Sequence, residues 1–266
     1  MITPVVDASW LADHPEVVLA DVRWYADGRS AREAYAQGHL PGAVYVDLDG
    51  QLAGPPSPAA GRHPLPDPDA FARSMAACGI GDDTLVVGYD DDRGAIAARL
   101  VWMLRATGHQ AALLDGGLLG WTGPLETGEV TPAPASFTPV PWPPDRLASI
   151  DEACDAVLLD ARPGARFRGE VDSLDPRPGH IPGARNLPCR DNTDSDGRLL
   201  PAAELRARLA EVGVTGDAEW VSSCGSGVTA CHTLLVAEQL GLRPGRLYVG
   251  SWSQWSATDR PAAVGA

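Results

Sequence analysis

The residues with the clearest potential for chemistry lie in one short segment, CGSGVTAC at residues 224–231. Its two glycines let the backbone turn tightly and point successive N–H groups inward, and a helix is predicted to follow. An anion is favoured at the centre of such a loop, so we expect Cys224 to be held as a thiolate and to act as a nucleophile. The backbone expected to bind the substrate is that of Gly225, Gly227, Val228 and Thr229.

A loop that stabilises an anion on cysteine suits phosphatase, arsenate reductase or sulfur-transfer chemistry. Phosphoryl transfer in a CxxxxxR loop needs an arginine six residues after the cysteine to bind the equatorial oxygens. This chain has Ala230 at that position. The loop is therefore expected to enclose a single sulfur-sized anion rather than a phosphate.

Composition excludes several other classes of function. All 21 basic residues are arginine, so a Schiff-base lysine, a pyridoxal-phosphate anchor and a Walker A lysine are absent. The formal net charge of -14 argues against binding to nucleic acid or to an anionic membrane. No apolar run approaches the length of a membrane span, and no signal peptide is recognisable, so we expect a soluble, cytoplasmic protein.

The cysteines and histidines do not form a metal motif. Five cysteines are an odd number in a long chain, and neither CxxC nor HxxxH occurs, so neither a disulfide scaffold nor a structural zinc site is expected. The four other cysteines are expected to be inert, packed thiols: Cys78, Cys154, Cys189 and Cys231.

The elements that position the loop belong to a repeated unit. LADVRW at 19–24 recurs as LLDARP at 158–163, and GHLPGA at 38–43 recurs as GHIPGA at 179–184. The segment that ends at Asp90 aligns with the segment that ends at Cys224. Several landmarks in the same order indicate a duplicated domain. Because a carboxylate cannot accept a sulfane sulfur, the first copy should be catalytically inactive.

Short apolar runs alternate with helical patterns in both copies. This predicts an α/β protein of two domains, each a mainly parallel sheet with helices on both faces. In such sheets ligands bind where strands end and helices begin. The predicted strands are 17–21, 85–89, 111–114, 157–160, 220–223 and 246–249, and the predicted helices are 31–37, 95–106, 202–212 and 228–240.

The domain boundaries follow from the repeat and from proline content. Residues 126–145 hold six prolines in twenty positions and predict an extended linker that lies over both domains. The expected organisation is an inactive domain over 1–125, a proline-rich linker over 126–145 and a catalytic domain over 146–266.

The paired GH(L/I)PGA segments, the inactive first copy, CGSGVTAC and the closing YVGSWSQW resemble the tandem-domain sulfurtransferases of the rhodanese superfamily over nearly the whole chain. The resemblance implies a cysteine that takes a sulfane sulfur from a small anionic donor and becomes a persulfide. The sulfur then passes to cyanide, a thiol or a thioredoxin-like acceptor. No metal or organic cofactor is implied.

Within this superfamily, Gly225 and Ser226 stand where thiosulfate enzymes of the animal type carry basic residues. The CGSG form resembles the members that use 3-mercaptopyruvate. That resemblance implies a proton relay of Ser226, His63 and Asp49 and a carboxylate site of Arg166 and Arg177. Thiosulfate:cyanide sulfur transfer and a non-catalytic binding module are the alternatives.

Overall fold

A computed structural model describes residues 2–171 and 174–265. The chain forms two compact units that do not follow its sequence order. The first unit comprises the chain up to Gly54 together with residues 66–142 and 193–199. The second unit comprises residues 55–65, residues 143–192 and the chain from Leu200 onward. Each unit therefore contains a segment from the sequence of the other repeat.

The first unit is built on a five-stranded parallel sheet with strand order β1-β5-β4-β2-β3. Its strands are β1 (Val5–Val6), β2 (Val18–Asp21), β3 (Val44–Tyr45), β4 (Val86–Tyr89) and β5 (Ala111–Leu114). Its helices are α1 (Ala8–Ala12), α2 (Ala31–Gln37), α3 (Leu48–Gln51), α4 (Pro68–Ala77) and α5 (Ala98–Ala106). Strands β4 and β5 are buried along their whole length, as expected for a covered parallel sheet.

The second unit repeats this arrangement with a four-stranded parallel sheet in the order β7-β6-β8-β9. Its strands are β6 (Val157–Asp160), β7 (Arg185–Asn186), β8 (Trp220–Ser223) and β9 (Arg246–Leu247). Its helices are α6 (Glu152–Asp155), α7 (Gly164–Phe167), α8 (Ala202–Glu211), α9 (Ala230–Gln239) and α10 (Ser251–Trp255). Two short 3₁₀ turns lie at Pro144–Arg146 and Cys189–Asn192.

The predicted α/β fold with two parallel sheets is confirmed. Strands β5, β6 and β8 and helix α2 have the predicted bounds. Helix α5 begins at Ala98 rather than 95, because the N–H groups of Ile96 and Ala97 donate to the side chain of Asp90. Helix α9 begins at Ala230 rather than 228, and β9 ends two residues earlier than predicted.

Most of the proline-rich segment packs against the first unit. Residues 126–142 belong to the first unit, where Glu126 pairs with His39 through both backbone groups at 2.8 and 2.9 Å. Further along, the N–H of Ala135 donates to the carbonyl of Ala76. The segment therefore packs along the first unit up to Trp142, and the division at 125 and 146 stays a prediction.

In each repeat, the arginine that follows the aspartate of LADVRW or LLDARP links that segment to the GH(L/I)PGA motif. Arg23 forms an ion pair with Asp21 at 2.8 Å and donates to the carbonyl of the first glycine of its GHLPGA motif. Arg162 forms the same pair with Asp160 at 2.6 Å and donates to the equivalent glycine of GHIPGA. These charges are buried and mutually paired, as buried charges must be. The two pairs thus fix the segments that follow β2 and β6.

No helix within the described residues has the length and apolar character needed to cross a membrane.

Candidate active site

Cys224 lies directly after β8, at the carboxyl end of the second sheet. Its N–H donates to Ser251 Oγ at 3.0 Å, and its carbonyl accepts from the N–H of Trp252 at 3.0 Å. Ser251 Oγ in turn donates to the carbonyl of Tyr248 at 2.8 Å. The start of α10 therefore fixes both backbone polar groups of the cysteine.

Ser251 adopts a left-handed backbone conformation with φ of 50°, which is uncommon for a residue other than glycine. In the first repeat, LLDGGLLGW at 113–121 aligns with LYVGSWSQW at 247–255, and Gly117, at the position of Ser251, has φ of 49°. The second repeat thus has backbone strain at this turn. In place of glycine it has a serine whose buried hydroxyl group accepts from the N–H of Cys224.

The thiol of Cys224 lies in a loop of amides, as predicted. Its Sγ accepts from the N–H of Gly227 at 3.1 Å and from that of Ser226 at 3.4 Å. Gly227 has φ of 75°, and a Cβ there would lie 2.5 Å from the carbonyl oxygen of Val249. Only glycine therefore fits at this position without moving the backbone. Two backbone N–H groups therefore point at this one sulfur atom.

The matching position in the first unit shows how the same loop behaves without a thiol. Asp90 follows β4, and its carboxylate accepts from four backbone N–H groups of its own loop, each at 2.8 Å. The side chain therefore occupies the position in which a substrate anion would bind. Burial raises the pKa of Asp90 to about 6 in spite of these donors. A loop filled by its own carboxylate fits the expectation that the first copy is inactive.

His63 and Ser226 lie together in the second unit. His63 Nδ1 and Ser226 Oγ share a hydrogen bond of 2.7 Å, and both residues are buried. This contact joins residues that are 163 positions apart, because the segment 55–65 packs within the second unit. Two of the three residues predicted for proton transfer are thus adjacent, and Ser226 also contributes an N–H to the cysteine sulfur.

The third residue, Asp49, lies on α3 in the first unit. Its side chain is exposed, and Oδ2 accepts from the indole nitrogen of Trp24 at 2.9 Å. Its part in the proton relay stays a prediction.

Arg166 lies at the cysteine loop. A Cβ placed on Gly225 would lie 3.6 and 3.7 Å from the Nη2 and Nη1 atoms of Arg166. Its Nη2 forms an ion pair with Asp175 at 3.2 Å, and Asp175 also pairs with Arg62 Nη1 at 2.7 Å. Burial, together with the positive charges of Arg162 and Arg62, lowers the pKa of Arg166 from its ordinary value.

The guanidinium of Arg177 donates to three backbone carbonyls. Its Nε donates to the carbonyl of Ser256 at 3.0 Å, Nη1 to that of Arg260 at 2.9 Å and Nη2 to that of Trp255 at 3.1 Å. The guanidinium thus holds the chain that follows α10. Its role as a carboxylate ligand stays a prediction, and a donor would compete with these three carbonyls.

The remaining loop residues also have defined contacts. The carbonyl of Gly225 accepts from the N–H of Ser253 at 2.9 Å, and the carbonyls of Val228 and Thr229 accept from the first turn of α9. Sulfur binding by the amides of these three residues stays a prediction.

Sequence reasoning missed Arg62, Asp175 and Ser251. Arg62 directly precedes His63, so its position beside a predicted site residue was the available signal. Ser251 lies within the YVGSWSQW motif, where it replaces the glycine of the first repeat. For Asp175 no sequence signal separates it from the many other acidic residues.

Three of the four other cysteines are buried, and Cys78 has its pKa raised by burial. Cys154 is exposed, so the expectation that it is packed is wrong: it lies on the outer side of the short helix α6. Within residues 2–171 and 174–265, no cluster of three or more His, Cys, Asp or Glu side chains has the arrangement to bind a metal ion.

Comparison with known proteins identifies the family. The profile of the rhodanese-like domain matches residues 7–124 and again residues 143–258. The chain belongs to the rhodanese-like domain family. The resemblance in the paired motifs therefore reflects membership, and the two matched regions correspond to the two sequence repeats.

Individual members of the family differ in the donor that their names give. A protein of Pseudomonas aeruginosa with the provisional name 3-mercaptopyruvate sulfurtransferase is 42% identical over 94% of this chain and 93% of its own length. A Mycobacterium tuberculosis protein, SseB, with the provisional name thiosulfate sulfurtransferase, is 37% identical over 100% of this chain and 97% of its own.

Similarity extends to solved structures. The crystal structure of SseA from Escherichia coli, a 3-mercaptopyruvate sulfotransferase with the rhodanese fold, superposes with a TM-score of 0.82 at 37% identity. The match covers 95% of this chain and 100% of that one.

Proposed function

We propose that this protein is a sulfurtransferase that takes a sulfane sulfur from 3-mercaptopyruvate and carries it as a persulfide on Cys224. The observation that carries the proposal is the pair of N–H groups, from Ser226 and Gly227, that point at the Cys224 sulfur at the end of β8. Membership of the rhodanese-like family supports the same chemistry.

The first step forms an S–S bond and breaks a C–S bond. The Cys224 thiolate attacks the sulfur of the donor, and the electron pair of the C–S bond stays on carbon as the enolate of pyruvate. A proton delivered to that carbon then gives pyruvate. The amides of Ser226 and Gly227, which donate to Sγ, stabilise the thiolate before it attacks the donor and again when the acceptor has removed the outer sulfur.

The hydrogen bond between Ser226 and His63 supplies a path for that proton. A serine hydroxyl held at 2.7 Å from an imidazole exchanges a proton with it readily, and both groups are sheltered from water. We assign Ser226 and His63 to protonation of the enolate, and Asp49 to orientation of the imidazole as a further part of the proposal.

The second step returns the thiolate. Cyanide attacks the outer sulfur of the Cys224 persulfide and leaves as thiocyanate, and the electron pair of the S–S bond returns to the cysteine. A thiol or a thioredoxin-like protein would accept the sulfur by the same attack. This cycle needs neither a metal nor an organic cofactor.

Thiosulfate is the alternative donor. The arginines beside Gly225 would bind either anion, and the similarity to SseB of Mycobacterium tuberculosis supports this second candidate. Two neutral residues after Cys224 favour 3-mercaptopyruvate, because a dianionic donor and a departing sulfite need more positive charge near the loop.

Mass spectrometry and steady-state kinetics test the proposal. After treatment with 3-mercaptopyruvate, the peptide that contains Cys224 should gain one sulfur, about 32 Da, and Cys224→Ser should abolish the gain. The value of kcat/KM should be higher for 3-mercaptopyruvate than for thiosulfate, and the reverse order selects the alternative. If no sulfane donor adds mass, the chain is a binding module without turnover.

A cytoplasmic location is also part of the proposal. Its support is that Cys78, Cys154, Cys189, Cys224 and Cys231 are all free thiols. Free thiols are typical of a reducing compartment. Cell fractionation with an antibody against the protein tests the location.

A further inference from the structure

Ser253, a buried residue of α10, forms hydrogen bonds with both segments that bring Ser226 and His63 together. Its N–H donates to the carbonyl of Gly225, the residue before Ser226, at 2.9 Å. Its Oγ accepts from the N–H of Arg62, the residue before His63, at 3.0 Å. The backbone of this serine therefore binds the cysteine loop, and its side chain binds the histidine segment, residues 55–65. All of these residues belong to the second unit.

The histidine segment lies directly against the serine hydroxyl. Gly61 has φ of 87°, and a Cβ there would lie 2.9 Å from Ser253 Oγ and 2.8 Å from the carbonyl oxygen of Gly250. Ser253 Oγ donates to this same carbonyl at 3.0 Å, so the direction of its hydroxyl group is fixed. Glycine at position 61 therefore allows the close approach in which the next N–H along the chain meets the serine oxygen.

Gln254, the next residue of α10, forms a second link to the histidine segment. Its Nε2 donates to the carbonyl of Ala59 at 2.5 Å, and its Oε1 accepts from the hydroxyl of Tyr248 at 2.7 Å. The segment is also closed on itself, because Ser57 and Gly61 pair through both backbone groups at 2.8 and 3.2 Å. Two adjacent side chains of α10 thus hold one closed turn.

The contact that depends on this arrangement is the hydrogen bond of 2.7 Å between His63 Nδ1 and Ser226 Oγ. A proton passes between these two groups only while they stay at hydrogen-bond distance. Displacement of a reacting group by about 1 Å can lower a rate by about a hundredfold. Because Ser253 binds the neighbour of each residue, it sets their distance from both sides.

We propose that Ser253 is a positioning residue for proton transfer, and that its hydroxyl group holds His63 at hydrogen-bond distance from Ser226. This inference deepens the proposed function, and it rests on that function in assigning these two residues to protonation of the enolate. In that step Ser226 gives a proton to the enolate carbon and takes one from His63, which regains it from solvent.

The role of Ser253 is specific to the sulfur donor. When the C–S bond of 3-mercaptopyruvate breaks, the electron pair stays on a carbon that must receive a proton. When the S–S bond of thiosulfate breaks, the electron pair leaves with sulfite, which needs no proton. Alkylation of Cys224 by iodoacetamide, in which the thiolate displaces iodide, likewise needs no proton donor. Loss of the hydroxyl group should therefore slow only the first of these three reactions.

Ser253→Ala tests this selectivity, because it removes the hydroxyl group and keeps the N–H that binds Gly225. In single turnovers with 3-mercaptopyruvate, the maximal rate of pyruvate formation should fall by about tenfold to a hundredfold. The donor concentration that gives half of this rate should stay unchanged, since donor binding is intact. The rate of sulfur transfer from thiosulfate and the rate of alkylation of Cys224 by iodoacetamide should also stay unchanged.

Ser223→Ala is the matched control. Ser223 is another buried serine of the same unit, and its Oγ donates to the carbonyl of Leu159 on β6 at 2.9 Å, away from the histidine segment. This variant should keep the rate of pyruvate formation. The proposal is overturned if Ser253→Ala leaves that rate unchanged, if it slows all three reactions equally, or if Ser223→Ala causes the same selective loss.

Gln254→Leu is the second variant, for use if Ser253→Ala does not fold. It removes the other link between α10 and the histidine segment, the bond from Nε2 to the carbonyl of Ala59. It should show the same selective loss of pyruvate formation. Equal loss in all three reactions, or no loss in any, would contradict the positioning role.

Labelling of His63 by diethyl pyrocarbonate tests the position of the imidazole without turnover. His63 is 5% exposed, and Ser253→Ala should raise its labelling rate by about tenfold, the effect of one lost hydrogen bond. His180, a buried histidine whose Nδ1 bonds to the carbonyl of Phe167, is the internal control and should keep its rate. Mass spectrometry of the two peptides measures both rates.

The two kinds of measurement separate this inference from the proposed function. If the wild-type protein takes no sulfur from 3-mercaptopyruvate, the proposed function fails, and faster labelling of His63 in Ser253→Ala still shows that Ser253 positions the imidazole. If sulfur transfer is intact and neither pyruvate formation nor the labelling of His63 depends on Ser253, the positioning role fails alone.

Discussion

Substitution of Gly227 by alanine would test whether the backbone of the cysteine loop is fixed by sterics. Gly227 has φ of 75°, and the added Cβ would lie 2.5 Å from the carbonyl oxygen of Val249. A left-handed conformation costs an alanine about 1–2 kcal/mol. Relief of the contact by movement of the backbone costs about 1–3 kcal/mol more. We therefore expect Gly227→Ala to lower the free energy of unfolding by about 2–5 kcal/mol.

The same chain offers a matched control for this experiment. Gly241, at the other end of α9, has φ of 65°, and no atom lies within 4 Å of the position that a Cβ would take there. Gly241→Ala should therefore cost only the conformational part, about 1–2 kcal/mol. The difference between the two variants isolates the contact with Val249.

Urea unfolding followed by tryptophan fluorescence measures both variants, and the sulfur gain of Cys224 measures function. Movement of the loop would displace the Gly227 N–H from Sγ, which it now meets at 3.1 Å, so Gly227→Ala should also lose most persulfide formation. Gly241→Ala should keep it. The reasoning is refuted if both alanine variants unfold at the same urea concentration and form the persulfide equally well.

Three further predictions concern single contacts. Ser251→Ala should lower the free energy of unfolding by about 1–3 kcal/mol in urea titrations, because it leaves the buried N–H of Cys224 and the carbonyl of Tyr248 without their hydroxyl partner; an unchanged midpoint would contradict this. Arg177→Gln should lower the unfolding midpoint and leave the KM for 3-mercaptopyruvate unchanged, because its nitrogens donate to three backbone carbonyls; a higher KM at unchanged stability would instead support Arg177 as a carboxylate ligand. The pKa of Asp90 is raised from its ordinary value of 3.8 to about 6, so the stability contributed by its protonated form is present below the lower value and is lost as the pH rises through the higher one. The free energy of unfolding of wild type minus that of Asp90→Asn should accordingly fall as the pH rises between these two values. A rise would show that the four N–H donors stabilise the ionised carboxylate more than burial destabilises it.

Local patterns in the sequence predicted the parts of the structure that depend on neighbouring residues. Strands β5, β6 and β8 are short apolar runs, and their predicted bounds are those observed. The alternation of strands and helices then predicted a parallel sheet whose two faces are covered by helices. The inward direction of the amides in the Cys224 loop was also predicted from neighbouring residues, because it depends on two glycines and a following helix.

Side chains that fold back on the backbone were harder to predict. The carboxylate of Asp90 bonds to N–H groups up to seven residues further along the chain, and this delays the start of α5. Periodicity places the helix start three residues too early, because an apolar pattern does not record competition from a nearby acceptor.

The sequence by itself determined the duplication, the parallel sheets and the position of the cysteine loop, since each depends on residues close together or on motifs that recur. Only the tertiary structure decided which charges share the site. Arg62 and Asp175 are 113 positions apart, and they meet because residues 55–65 pack within the second unit. Arg177, nearer in sequence to Arg166, donates to carbonyls after α10 instead. Side chains so far apart in sequence become partners only through the packing of distant segments. A short sequence pattern does not predict that packing.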